Sequence, residues 1–188
     1  NGADTTGGYK AHFSHKNEKA SPGYYSVFLD QKKIKVDLTV SHRSGIHSYQ
    51  YPENSEQYII LDLEHRDQLL NHKIEAINDT TIQGYRFSNA WASDQRIFYY
   101  ISFSEPIEEV SYFPKNSKNP TKAAIKFKDT KNKPIFVKIG ISPVDINGAR
   151  NNMLSEIGNK SFEEVHSSAR ESWQKQLSKI IIEEDNAD

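Results

Sequence analysis

The sequence predicts a mainly β fold, a β-sandwich with one or two C-terminal α-helices, and three observations carry that expectation. Short blocks rich in Ile, Val, Leu, Phe and Tyr recur between residues 34 and 141, each bounded by turn residues. The clearest block alternates apolar and polar side chains with a period of two, as a strand with one face on a core must. Beyond Pro143 the period changes to three and four, which is helical.

In chain order, Ile34, Val36, Leu38 and Val40 alternate with Lys35, Asp37 and Thr39. Ser44-Gly45 is the expected tight turn, and 46–51 the returning strand of a hairpin. After Pro52, Tyr58-Ile59-Ile60-Leu61-Asp62-Leu63 reads as a strand covered on both faces. Further runs lie at 73–78, 81–88, 96–104, 110–113, 123–127 and 135–141, with turns at Asn78-Asp79, Asn119-Pro120, Lys133-Pro134 and Ser142-Pro143. Many short strands at regular spacing argue for a sandwich over alternating βαβ units. A helix is expected over 146–157 with Asp145 as its N-cap. A second, over 162–180, aligns Phe162, Val165, Ala169, Trp173, Leu177 and Ile180 on one face, and Ser161-Phe162-Glu163-Glu164 supplies a capping box. One domain is expected over 1–183, with the acidic residues 184–188 starting a linker. The polar, Met-less beginning leads to the expectation that this sequence starts partway through a longer protein.

Composition excludes several classes. Twenty-four Lys and Arg against 25 Asp and Glu leave a formal charge of -1, so no overall field recruits nucleic acid. The local basic run 115–133 is broken by Asn, Ser, Pro and Asp and reads as a solvated hairpin. There are no cysteines, which removes disulfides and thiol chemistry. No apolar stretch approaches the ~20 residues of a membrane span.

No familiar catalytic signature is present. The 7 histidines lack the His-Glu-x-x-His spacing of a zinc site, and no nucleophile elbow, phosphate loop or dinucleotide fingerprint occurs. Asp62, Glu64, Asp67 and Asp94 are the carboxylates nearest apolar blocks; a pair at the right separation would suffice for glycoside hydrolysis, whereas the plainer reading makes each a strand-end or turn residue. One segment is dense in residues of the binding type, Gly84-Tyr85-Arg86-Phe87-Ser88-Asn89-Ala90-Trp91-Ala92-Ser93-Asp94-Gln95. Its aromatic faces could stack on a sugar while Arg86 and Asp94 bind hydroxyls, or Tyr85, Phe87 and Trp91 could fill the sandwich core.

Phe13-Ser14-His15-Lys16-Asn17-Glu18-Lys19-Ala20-Ser21-Pro22-Gly23-Tyr24-Tyr25-Ser26-Val27 resembles the N-terminal domain of glycoside hydrolase family 92, the bacterial α-mannosidases. Later blocks strengthen the resemblance in order: Ile59-Ile60-Leu61-Asp62-Leu63-Glu64-His65-Arg66, then Ile82-Gln83-Gly84-Tyr85-Arg86-Phe87-Ser88 with Trp91-Ala92, then Val137-Lys138-Ile139-Gly140-Ile141-Ser142-Pro143-Val144, then 169–180. The resemblance implies an extended antiparallel sandwich of the supersandwich, galactose-mutarotase-like kind, leading through its helices into a helical barrel. It further implies an exported, exo-acting enzyme that hydrolyses α-mannosides with inversion and needs calcium. The acid Glu and base Asp of that chemistry lie on the helical catalytic domain, so no catalytic or metal-binding residue is carried over to this chain. Arg86, Trp91, Tyr85 and Asp94 are then candidates for the edge of the sugar cleft or for the interface with that domain. A free-standing carbohydrate-binding module and a sandwich that only binds proteins are the rival readings.

Overall fold

The computed structural model describes residues 9–180. Eleven strands precede two helices: β1 (Phe13–Ser21), β2 (Tyr24–Leu29), β3 (Ile34–Val40), β4 (Ser44–Gln50), β5 (Gln57–Asp62), β6 (Gln68–Asn78), β7 (Thr81–Asn89), β8 (Gln95–Phe103), β9 (Ile107–Phe113), β10 (Lys122–Phe127), β11 (Ile135–Ser142), α1 (Ile146–Ile157) and α2 (Phe162–Leu177). An 8-stranded sheet runs β1-β2-β3-β4-β11-β8-β7-β6, and a 3-stranded sheet runs β5-β10-β9. Neighbours pair antiparallel throughout. The expected sandwich is therefore present, with the helices as a third layer.

Strand alternation builds two cores, one on each face of the large sheet. Tyr99, Ile101 and Phe103 of β8, with Ile135 and Val137 of β11, meet Ala123, Ile125 and Phe127 of β10. The intervening side chains Tyr100 and Phe136 point the other way and pack with Ile46 against Met153, Ile157, Phe162 and Val165 of the helices. Gly140 is where sheet and helix come closest, for a Cβ there would strike the Ala149 carbonyl and lie 2.7 Å from the Met153 Cβ. Asp145 caps α1 as expected, its side chain accepting from the Gly148 amide. Ser161 and Glu164 form the full capping box at α2.

Several boundaries differ from the sequence reading. The β3–β4 turn is Ser41-His42-Arg43, and Ser44-Gly45 lies within β4, where Gly45 faces Val40. Gly45 serves a close approach, not a turn, since a Cβ would sit 3.2 Å from the Thr39 carbonyl. β5 is the edge of the small sheet, so its Tyr58 to Asp62 are only half-buried and not covered on both faces. β1 and β2 precede the first strand legible in the sequence; β1 is an edge strand with a register shift between Phe13 and Glu18 and mostly exposed side chains, so no period of two marks it. The basic run 115–133 is not one hairpin loop: β10 runs through its middle, between the loops 114–121 and 128–134. The second helix stops at Leu177, and its apolar file divides. Phe162, Val165 and Ala169 are buried, whereas Trp173, Leu177 and Ile180 are 48%, 57% and 79% exposed. The expected linker at 184–188 and the polar start lie outside the described residues. Among the described residues no helix is long and apolar enough to cross a membrane.

Two outcomes follow for stability. Gly140→Ala should lower the unfolding free energy by about 1–3 kcal/mol by forcing α1 off the sheet, read as a lower urea midpoint at unchanged slope. Burial on β4 depresses His47 from 6.5 to about 4, so the fold favours its neutral form. The stabilisation is complete above about pH 6.5 and is lost as pH falls from there toward 4, a change on the order of 2–3 kcal/mol. A His47→Asn variant should lack that component when unfolding is measured across the same pH range.

Candidate functional site

The antiparallel register fixes which loops share an end. Ser21 pairs Tyr24, Val40 pairs Gly45, Gly140 pairs Ser44, Ser142 pairs Phe98, Ser88 pairs Gln95 and Gln68 pairs Asn89. The turns 22–23, 41–43, 90–94 and 143–145 and the loop 63–67 therefore lie along one edge of the large sheet. Lys122 pairs both Asp62 and Phe113, which brings the loop 114–121 to the same end. This loop end gathers the predicted site residues.

Alternation along β7 sends neighbours to different surroundings. Arg86 points toward the small sheet, donating from Nε to the Leu63 carbonyl at 2.7 Å and from Nη2 to the Asp67 carbonyl at 3.4 Å. Its Nη1 lies 3.7 Å from the Asp67 carboxylate. Arg86 thus ties the loop 63–67 to β7. Tyr85 lies on the opposite face, against Phe87 at 4.8 Å and Phe98 at 5.8 Å between ring centroids. The Arg96 guanidinium lies 5.2 Å over the Phe87 ring. Trp91 stands free at the tip of the β7–β8 turn, 96% exposed, and fills no core. Asp94 is bound by Arg96 through Nε at 3.0 Å and Nη2 at 2.9 Å, and those bonds hold its carboxyl below the usual range.

A second polar group was not foreseen, because it depends on cross-strand pairing. Asp62 accepts from the Tyr9 hydroxyl and from the Glu64 amide, and Lys122 lies 3.4 Å from Asp62 and 3.3 Å from Glu64. Burial would raise the Asp62 pKa, but the Tyr9 hydroxyl, the Glu64 amide and Lys122 together outweigh it and hold the group below its ordinary value. All four carboxylates singled out in the sequence have a cationic partner: Asp62 and Glu64 share Lys122, Asp67 meets Arg86, and Asp94 meets Arg96. A glycosidase acid must keep a proton at working pH, and Asp62 and Asp94 are both driven the other way. Among the described residues no three His, Asp or Glu side chains converge to hold a metal ion.

The same end carries exposed apolar side chains: Val40, Trp91, Ile141, Val144, Trp173 and Leu177 on α2, and Ile180 just beyond it. Val144 is 74% exposed. Between the β3–β4 turn and α2 lies a cleft of about 590 Å³ lined by Val40, His42, Lys160, Ser172, Trp173 and Gln176. Its floor is fixed by Glu156, which accepts from Ser41 Oγ at 2.6 Å, the Arg43 amide at 2.9 Å and Arg43 Nε at 2.8 Å. Burial works against the ionised Glu156, yet these donors keep its pKa below the usual range.

Residues 1–142 match the family model of the glycosyl hydrolase family 92 N-terminal domain, and residues 148–188 match that of the family 92 catalytic domain. Among solved structures, the family GH92 α-mannosidase BT3965 from Bacteroides thetaiotaomicron superposes with a TM-score of 0.86 at 29% identity, over 97% of this chain and 27% of that one. The GH92 family glycosyl hydrolase ccman5 gives a TM-score of 0.82 at 22% identity, over 93% of this chain and 26% of that one. The inverting mannosidase BT2199 from Bacteroides thetaiotaomicron VPI-5482 gives 0.80 at 21% identity, over 92% and 24%. This chain therefore spans about a quarter of the length of each of these three proteins. No curated protein matches. The chain belongs to glycosyl hydrolase family 92 and carries its N-terminal domain.

The loop tie gives a test of local structure. Arg86→Lys keeps the charge but cannot reach Leu63 and Asp67 together as the planar fork does. Amide exchange in 63–67 should accelerate, and unfolding free energy should fall by about 1–3 kcal/mol, with exchange in the central strand β11 slowed or speeded only as far as global stability changes.

Proposed function

We propose that this chain is the β-rich N-terminal part of an exported, exo-acting α-mannosidase, which seats a helical catalytic domain on its loop end and forms one wall of the sugar cleft. The observation that carries the reading is the gathering of exposed apolar side chains at that end, Val144, Trp91 and the outer half of α2 among them. Isolated exposed apolar residues are ordinary, but a group along one edge, in line with the buried file of a helix, marks a surface that another body covers. The match of residues 148–188 to the catalytic-domain model supports a continuation from α2 into that body.

In this reading the chemistry belongs to two carboxylates of the catalytic domain. One protonates the glycosidic oxygen and the other activates water on the opposite face of the ring, giving inversion. Calcium, when bound, supplies a positive charge to orient sugar hydroxyls, and its ligands lie outside the residues described here. The sandwich contributes shape and rigidity. Arg86 holds the loop 63–67 in place, Asp94 and Arg96 brace the β7–β8 turn, and that turn presents Trp91 to the apolar contact between domains or to the sugar at its margin.

The test compares hydrolysis of an α-linked mannobiose, with calcium, by this 188-residue chain and by the protein extended through its natural continuation. Mannose release by the extended protein alone, abolished by a chelator and restored by calcium, is the expected result. Cleavage by the short chain would place the acid and base among its own carboxylates and sink the proposal. Saturable mannobiose binding by the short chain, with no cleavage by either form, would instead make it a free-standing carbohydrate-binding module.

A further inference from the structure

Lys138 occupies an unexpected place. It lies in the middle of β11 on the side facing the helices, between Phe136 and Gly140, where an apolar side chain would pack without desolvating a charge. Its ammonium donates to the carbonyls of Gly158 at 2.5 Å, Lys160 at 2.8 Å and Ile157 at 3.2 Å. These carbonyls end α1 and form the turn into α2. α1 has no basic residue in its own last turn, so the cation that its C-terminus favours is delivered from the sheet. The next residue, Ser161, is the N-cap of α2, so the ammonium grips the chain immediately before α2 begins.

We propose that Lys138 is a positioning residue, which sets the direction in which α2 leaves the sandwich and thereby the seating of the catalytic domain; the second half of this statement rests on the two-domain mannosidase reading. α2 packs on the sheet through its first half, where Phe162, Val165 and Ala169 are buried and His166 stacks on Tyr24 of β2 at 4.5 Å between ring centroids. Its remaining turns project past the last covered residue toward the loop end, where Trp173 lines the cleft beside Val40. A helix of 16 residues is about 24 Å long, so a tilt of about 10° at its root displaces its far end by about 4 Å. Misplacement of reacting groups by even about 1 Å is enough to cost turnover. α1 keeps an anchor of its own, because Glu156 binds Ser41 and Arg43 on the β3–β4 turn. Loss of the Lys138 ammonium therefore frees the root of α2 while α1 stays seated.

The absence of cysteine from this chain allows a rescue experiment. Lys138→Cys introduces a single thiol, and alkylation with bromoethylamine in denaturant followed by refolding restores an ammonium at nearly the original reach. Amide exchange over 159–169 should accelerate about tenfold in Lys138→Cys relative to β8 and β11 and return to the wild-type rate after aminoethylation. In the extended protein, Lys138→Met should lower kcat on α-mannobiose by about tenfold, more than its shift in thermal midpoint at the assay temperature accounts for. Unchanged exchange over 159–169 overturns the hold on α2. Faster exchange with wild-type kcat overturns the link to domain seating and leaves Lys138 a stabilising residue only. If the wild-type extended protein cleaves no α-mannoside, the mannosidase reading fails, and exchange with its chemical rescue still decides the hold on α2.

Discussion

The large sheet has two faces to bury, and everything else in the molecule answers that requirement. β4, β11 and β8 lie side by side within it, and their side chains alternate between two cores. Tyr99, Ile101 and Phe103 go to the small sheet, and Tyr100 goes to the helices. The same holds on β11, where Ile135 and Val137 face one way and Phe136, Lys138 and Gly140 the other. A strand covered on both faces cannot use polar residues in every second place, so the middles of β8 and β11 read as apolar runs. β4 instead fills its covered places with small or weakly polar residues such as Ser44, Gly45 and Ser48 beside Ile46. The small sheet reaches only part of one face. The helices, arriving last in the chain, close the other, and Gly140 marks how tightly they do so.

What was legible in the sequence follows from that geometry. The central strands announced themselves because burial forced apolar residues into short blocks, and the helices because their caps are local: Asp145 and Ser161 act on amides three residues away. The edge strand β1 was silent because an edge needs no buried face, and its side chains are almost all exposed. The β3–β4 turn was misplaced for a different reason. Gly suggests a turn, but Gly45 is small because the Thr39 carbonyl approaches it, and its neighbour Ile46 has to reach the helix core. Close approach and positive φ leave the same letter in the sequence.

The segment from Gly84 to Gln95 shows why density of binding-type residues is a poor guide to a site. Consecutive strand residues face opposite ways, so Arg86 enters the space between the sheets and Tyr85 joins an aromatic group on the far face. Trp91 stands in water, and Asp94 spends its carboxylate on Arg96. Residues adjacent in sequence are thus dispersed, while residues remote in sequence are collected. Arg86 meets Leu63 and Asp67, and Lys122 meets Asp62 and Glu64, through contacts that exist only once the strands have paired in register. Register is a long-range property, and a single sequence states it only faintly.

α2 has a half buried against the sandwich and a half that is exposed. Its first turns are fixed by a capping box, by Phe162 and Val165 in the helix-side core and by carbonyls gripped from the sheet just before it starts. Its last turns continue the same apolar file into exposure. A helix stabilised only by its own propensity would be marginal at this length, so the buried half holds the exposed half in helical form. This explains why sequence and packing divide the chain differently. The catalytic-domain match begins at residue 148, yet Ala149, Met153, Ile157, Phe162 and Val165 are buried against the sandwich. In the proposed two-domain reading, a helix that shares its two halves between bodies would carry the orientation of one to the other, as no flexible linker could. On that reading, the rigidity of the root of α2 is the physical quantity on which a cleft formed by two domains would depend.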